Sequence, residues 1–357
     1  MVERTVDFGN GETAKVSLER PVARYPLNPV LTAEHVNAAW KEPGWKVTTV
    51  HNAGVTRHDG ETLMLFRSHL RCGVSVLGVA RSSNGVDGWR VDPAPALTPA
   101  GENERGGVED PRIHRMGGAY AVTYSAYRAD VKNRVQVCLA LTEDFKTFKR
   151  LGPMLERDMR NVVLFDQAIN GRYAALFRPN DVKEGDVGGI YTQIRIGYSM
   201  DWKSNEWEIA DEPVMRTGFG PSAFSDKIGP GAPPLKTDRG WLNLFHGVRS
   251  TMDGNPYVLG VALHDLEDPA RVKVSSIPIL FPSRADCRVK EEDYVHVPNV
   301  VFTCGALAVK DEAILILYGG NDTVMNVGAT HADVLVALCE RFGQDPLSGR
   351  LLYEPGK

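Results

Sequence analysis

A hairpin that recurs five times is the strongest constraint this sequence places on its fold. Its clearest copy is NVVLFDQAINGRYAALFRP, residues 161–179, in which Asn170-Gly171 separates two apolar runs. Both central residues of a type I′ turn need positive φ, so Asn-Gly between such runs is among the firmest short signals for an antiparallel pair. HNAGVTRHDGETLMLFRSH at 51–69 turns at Asp59-Gly60, and EDPRIHRMGGAYAVTYSAY at 109–127 turns at Gly117-Gly118. GAPPLKTDRGWLNLFHGV at 231–248 and NVVFTCGALAVKDEAILILYGGND at 299–322 complete the set. Each is followed by a further apolar segment: VSVLGVARS, VQVCLALTE, IRIGYSMD, YVLGVALHD and ADVLVALCE. These five segments read as strands, and no sustained helical periodicity interrupts them.

Five strand-rich units at intervals of roughly fifty to seventy residues predict an all-β five-bladed β-propeller. The 357 residues are taken as one catalytic domain, 1–357, with 1–45 as an N-terminal segment that either supplies a closing strand or packs outside. A two-domain β-sandwich is the structural alternative, but it does not call for the same hairpin five times.

Charge and patterning narrow the function. A net charge of -4 offers no broad basic field for nucleic acid. No apolar run approaches the roughly 18 residues of a membrane span, and the charged start MVERTVDFGNGE has no signal-peptide core, so the chain reads as cytoplasmic. Its five cysteines are odd in number and show no CxxC spacing, which argues for free thiols over disulfides or a metal knuckle.

In an antiparallel pair, the start of the first strand and the end of the second lie at the same end. Around a central axis those ends converge on one mouth. The first unit brings Asn52 and Arg67 there, the second Asp110 and Tyr127, and the third Arg160 and Arg178. The fourth brings Lys227 and His246, and the fifth Asn299 and Asp322. Singly, a strand-end Arg is an ordinary solvated charge and a lone His a satisfied structural one. Recurrence at equivalent hairpin ends favours a shared pocket, suited to a sugar and an anion. His51, His69, His264 and His296 have no such placement and read as structural. Pro111 biases Asp110 towards extended backbone, and Glu109 stands beside it.

The motifs GVEDPRI with SAY downstream, NVVLF with INGRYAALFRP, KIGPGAPPLKTDRGWLNLFHGV, and PNVVFTCGA with LYGGND closely resemble glycoside hydrolase family 130 over roughly residues 25–340. The resemblance implies a five-bladed β-propeller and an inverting phosphorylase. Such an enzyme transfers a glycosyl group from a β-mannoside to inorganic phosphate, reversibly, and yields α-mannose 1-phosphate and a shortened saccharide. Some members are β-mannosidases that use water; a noncatalytic carbohydrate-binding propeller is the alternative of another class. On this resemblance Asp110 corresponds to the general acid, and Arg160, Arg178, Lys227 and His246 to the phosphate-binding positions. Asn52, Arg67 and Asp322 correspond to the groups that hold the mannosyl unit; Ala53 departs from the family pattern and Glu109 varies among subgroups. Tyr127 and Asn299 join the substrate-binding set by their place at the mouth. The expected partners are a β-mannoside saccharide and inorganic phosphate as co-substrate, with no metal and no organic cofactor. The oligomeric state stays open, a homo-oligomer included.

The chemistry fits those residue types. An inverting glycosidase needs two carboxyl groups about 6.5 to 9.5 Å apart, one of them to activate water. A phosphate dianion is already a nucleophile, and a second carboxylate near it would be harmful, since two like unit charges 4 Å apart repel by about 4 kcal/mol at an effective dielectric of 20. Cations belong there instead. Asp110 must be protonated when substrate is bound, which predicts a pKa raised by burial or by Glu109.

Overall fold

A computed structural model describes residues 2–128, 135–180, 192–218, 222–252 and 254–355. The chain is all-β, and its main strands form five antiparallel units in chain order. The first unit holds His51–His58, Glu61–His69, Ser75–Ser82 and Arg90–Val91; the second holds Gly107–Met116, Ala119–Tyr127, Val135–Thr142 and Lys149–Pro153. A single parallel bridge, Ser75 to Gly107, joins these two into one sheet. The third unit runs Met159–Leu164, Tyr173–Pro179, Gln193–Ser199 and Glu208–Ile209. In the fourth, the first strand is broken into Lys227–Pro230 and Leu235–Lys236 by Gly231-Ala232-Pro233-Pro234, and Trp241–Val248, Tyr257–His264 and Val272–Ser275 follow.

The fifth unit departs from the expected pattern. Its strands are Val301–Ala308, Ala313–Gly320 and Val324–His331, and the fourth place is taken by Ala23–Arg24 from the beginning of the chain. An N-terminal hairpin, Glu3–Asp7 with Thr13–Ser17, precedes that strand. ADVLVALCE, expected as a strand, is the α-helix Ala332–Arg341. His331 caps it by accepting from the Asp333 amide at 3.1 Å, and the buried Val334, Leu335, Leu338 and Cys339 fall on one helical face. The β-branched valines made the segment look extended, while the core it covers selects the helix.

The hairpin turns behave as their residues require. Asp59 and Gly60 have φ of 49° and 80°, and Asn170 and Gly171 of 51° and 80°. The units repeat a packing device as well as a turn. Phe66 and Phe245 bring the Cζ end of their rings over Gly78 and Gly260 directly opposite, where a Cβ would come within 2.4 Å of either ring. The residue after each aromatic points to the other side of its strand. After Phe66, Tyr124, Phe177, Phe245 and Tyr318 those residues are Arg67, Ser125, Arg178, His246 and Gly319, which pair with His51, Glu109, Arg160, Gly229 and Phe302 on the first strand of each hairpin. Among the described residues no helix is long and apolar enough to cross a membrane.

Candidate active site

The first strands of units one to three share a defect that aims side chains inward. Each has a β-bulge, between His51 and Gly54, Glu109 and Arg112, and Arg160 and Val163. Inside each bulge one residue adopts positive φ: Asn52 at 49°, Asp110 at 50° and Asn161 at 57°. Asp110 is therefore left-handed, not extended as Pro111 favours. Left-handed backbone costs an ordinary L-residue roughly 1 to 2 kcal/mol and is borne most readily, after Gly, by Asn and Asp, and a bulge re-aims the side chain it carries. Asn161, which sequence reasoning passed over, is thus the third unit's counterpart of Asp110.

Arg67 organises the acidic side of the cluster. Its Nη1 donates to Asp110 Oδ1 at 2.9 Å and its Nη2 to Glu109 Oε1 at 2.7 Å. Asn52 Nδ2 donates to the same Asp110 oxygen at 3.0 Å, and Ser75 Oγ donates to Glu109 at 3.0 Å. Burial pushes the Asp110 carboxyl up, but Arg67, Arg112, the Asn52 bond and Arg160 overcome it and hold the group at about 2. The raised pKa expected from the sequence is thus absent in the ligand-free protein, because two donors from the first unit already occupy the carboxylate. Asp322, at φ 48°, goes the other way: burial, with Asp110 and Glu109 nearby, takes it to about 7 against the pull of Arg67.

The opposite side of the cluster is cationic. Arg160 and Arg178 are direct cross-strand partners. Burial, then Arg160, lowers the Arg178 guanidinium to about 10. Burial, then Arg178 and Arg112, keeps the His246 imidazole neutral, well below its ordinary value; Lys227 acts in the same direction. His246 stacks on Tyr257 and leans on Phe302, with ring centroids 6.1 and 4.6 Å away. Among the described residues, Arg178 Nε and His246 Nδ1 are buried with no hydrogen-bond partner. Buried groups left so cost about 1 to 3 kcal/mol each, which a hydrogen-bonding partner would recover. They meet at Gly229, where an added Cβ would lie 2.5 Å from His246 Cε1, 2.8 Å from Asn161 Nδ2 and 2.9 Å from Arg178 Cδ.

Not every expected residue joins this centre. Among the described residues, Tyr127 and Asn299 make no hydrogen bond to Asp110 or Glu109; Tyr127 packs over Gly106, and Asn299 is exposed with its carbonyl accepting from the Tyr257 amide at 3.0 Å. Conversely, histidines read as structural lie beside the acid. His69 Nε2 accepts from Arg67 at 2.9 Å, and its ring is 5.1 Å from His51 and 4.7 Å from His296. His264 does remain structural, bonded through Nδ1 to the Pro269 carbonyl at 2.6 Å. Elsewhere, Glu312, His331 and Asp333 bring ligand-type atoms within 4.8 Å of one another, but Asp333 is already held by Arg4 at 2.6 and 2.9 Å. Arg112, Asn161 and Gly229 were missed; the only trace of them was their place inside EDPR, RNVV and KIGPG.

Comparison with known proteins finds relatives along most of the chain. Residues 19–341 match a family model described as β-1,4-mannooligosaccharide phosphorylase. A 1,2-β-oligomannan phosphorylase of Thermoanaerobacter sp. (strain X514) is 33% identical over 295 residues, covering 80% of this chain and 91% of that protein. A 4-O-β-D-mannosyl-D-glucose phosphorylase of Bacteroides fragilis is 31% identical over 375 residues, covering 98% and 90%. Among solved structures, a β-1,2-mannobiose phosphorylase from Listeria innocua, in complex with β-1,2-mannobiose, superposes with a TM-score of 0.74 at 26% identity, covering 89% and 99%.

Proposed function

The chain belongs to glycoside hydrolase family 130, and from that premise we propose that it is an inverting phosphorylase that cleaves a β-mannoside with inorganic phosphate. In this reading the five units are the blades of one five-bladed β-propeller domain, 1–357, closed by its N-terminal 45 residues, and the enzyme works in the cytoplasm. Asp110 is the general acid. Arg160, Arg178, Lys227 and His246 hold phosphate, while Asn52, Arg67, Glu109, Asp322, Tyr127 and Asn299 contact the saccharide. The observation that carries the reading is the pair of orphaned groups, Arg178 Nε and His246 Nδ1, converging at Gly229 within the cationic half of a cluster whose other half presents Asp110.

Phosphate held by the cationic half attacks the anomeric carbon from the face opposite the leaving oxygen. As that carbon–oxygen bond forms, the glycosidic bond breaks; its electron pair goes to the leaving oxygen, which takes the Asp110 proton directly or through a sugar hydroxyl. The proton of hydrogen phosphate then restores Asp110, and the product is α-mannose 1-phosphate as its dianion. Asp110 begins ionised, so it gains its proton with substrate. A mannosyl ring that takes over the Arg67 and Asn52 donors withdraws two of the groups that keep the carboxyl deprotonated.

Phosphorus and proton NMR of a β-mannoside incubation tests the reading. α-Mannose 1-phosphate is expected only when inorganic phosphate is present, with disaccharide re-forming once that product meets an acceptor sugar. Free mannose released at the same rate without phosphate would replace the phosphorylase reading with a hydrolase.

A further inference from the structure

We propose that Arg112, which does not face the substrate, is a positioning residue of this reaction, fastening the Asp110 bulge to the strand break of the fourth unit and to Asn161 so that acid and anion site keep one geometry. The inference rests on the functional reading above. Arg112 is 1% exposed, and its Nε, Nη1 and Nη2 are each already bonded to protein acceptors. Its Nη1 donates to the Asp110 carbonyl at 2.8 Å, inside the bulge itself. Its Nε donates to the Gly231 carbonyl at 2.8 Å, and Nη2 reaches both the Pro230 carbonyl at 3.2 Å and Asn161 Oδ1 at 3.1 Å. One planar group thus ties together the second, third and fourth units.

The choice of partners is informative. A buried guanidinium is costly unless paired, and Arg112 spends its donors on three carbonyls and an amide, with no carboxylate among them. Core packing alone would be served by an apolar side chain. What Arg112 supplies is a fork of fixed shape at the point where Pro230 and Gly231 follow Gly229, around which His246, Asn161 and Arg178 gather. It also leaves an unneutralised positive charge next to Asp110, Arg178 and His246, each of which it biases towards less proton binding.

Two variants separate geometry from charge. Arg112→Lys keeps the charge and loses the fork; Arg112→Met loses both. Steady-state constants for phosphate and mannoside, the pH profile of kcat, and circular dichroism are measured for each beside the parent. Arg112→Lys is expected to be folded, with kcat lowered about a hundredfold, the loss that misplacement of about 1 Å brings, and with a parental pH profile. Arg112→Met is expected to lose as much and to shift the limb governed by Asp110 to higher pH, since a cation that held its pKa down is gone. A kcat within about threefold of parent for Arg112→Lys overturns the proposal. So does failure of Arg112→Lys to fold, which would make the residue a folding element. A parent that only hydrolyses mannosides would discard the phosphorylase reading, and the same comparison on hydrolysis would then decide the role of Arg112. A parent inactive on mannosides is judged by Asp110 titration, followed by carbon NMR in ligand-free protein: an unmoved carboxyl in Arg112→Met overturns the proposal.

Discussion

Arg160 and Arg178 face each other directly across two antiparallel strands, two cations where a sheet is best served by opposite charges. Neither is bonded to a carboxylate among the described residues, and burial with mutual repulsion lowers Arg178 to about 10. Such a pair is a standing cost to the fold, of the kind a bound dianion would relieve. The acid cluster shows the complementary arrangement, in which Arg67 serves Glu109 and Asp110 together.

If Arg178 contributes a charged hydrogen bond to phosphate, Arg178→Gln loses roughly 1.5 to 3 kcal/mol of binding. The Michaelis constant for phosphate should then rise about ten- to a hundredfold, with that for mannoside little changed. Equal losses for both substrates, in a steady-state matrix of the two, would mark a general structural role.

Gly229→Ala tests the convergence itself. Its backbone is not in the left-handed region, so the change adds only a methyl group. That methyl meets His246, Asn161 and Arg178 at once, so the arrangement of the three has to shift to admit it. Phosphate affinity measured by calorimetry should fall at least tenfold while mannoside binding persists. Unchanged phosphate affinity would show that the three groups do not act as one site.

Asp110→Asn keeps shape and left-handed backbone, which Asn tolerates as well as Asp, and removes the transferable proton. Turnover should disappear with saccharide binding largely intact. Near-parental phosphorolysis by the folded variant would remove Asp110 from the mechanism.

How much of this was legible depends on how local each cause is. Turns at Asp59-Gly60 and Asn170-Gly171, and the strands around them, follow from residues within a few positions of one another, so hairpins and their ends could be read directly. The bulges could not. Whether Asn52, Asp110 and Asn161 shift register is decided by what packs against those strands, and in the case of Asp110 by Arg112 reaching the fourth unit. The low proton affinity of Asp110 in the ligand-free protein was hidden for the same reason. Glu109 is adjacent in sequence, whereas Arg67, which outweighs it, is 43 positions away in another unit. His69 was missed because its neighbour His296 belongs to a different unit, and the helix at 332–341 because its valines favour strand until the core beneath it is known.

Histidine burial sets the pH dependence of stability. His69 and His114 are lowered by burial, then by Arg67 and Arg112 respectively, to about 3, and His264 by burial to about 4. His51 and His246 lie well below the ordinary value, again chiefly through burial. In each the folded pKa is depressed, so below about 6.5 the unfolded chain binds a proton that the native protein does not. Stability is therefore full above about pH 6.5 and declines as pH falls, by about 1.4 kcal/mol per unit for each group, until its folded pKa is reached. Asp322 opposes this: raised to about 7, it is protonated in the native state at pH 5 and ionised once unfolded. Asp110, held at about 2, contributes stability that is lost only as pH drops from its unfolded value through 2, at the acid end of the same window. At pH 5, five protons taken up by histidines less one released by Asp322 predict a net uptake of roughly four on unfolding. Calorimetric unfolding in two buffers of different ionisation enthalpy measures that number. A melting temperature flat between pH 6.5 and 4.5, with no proton uptake, would mean that these histidines are charged in the native protein, contrary to the burial that the fold imposes on them.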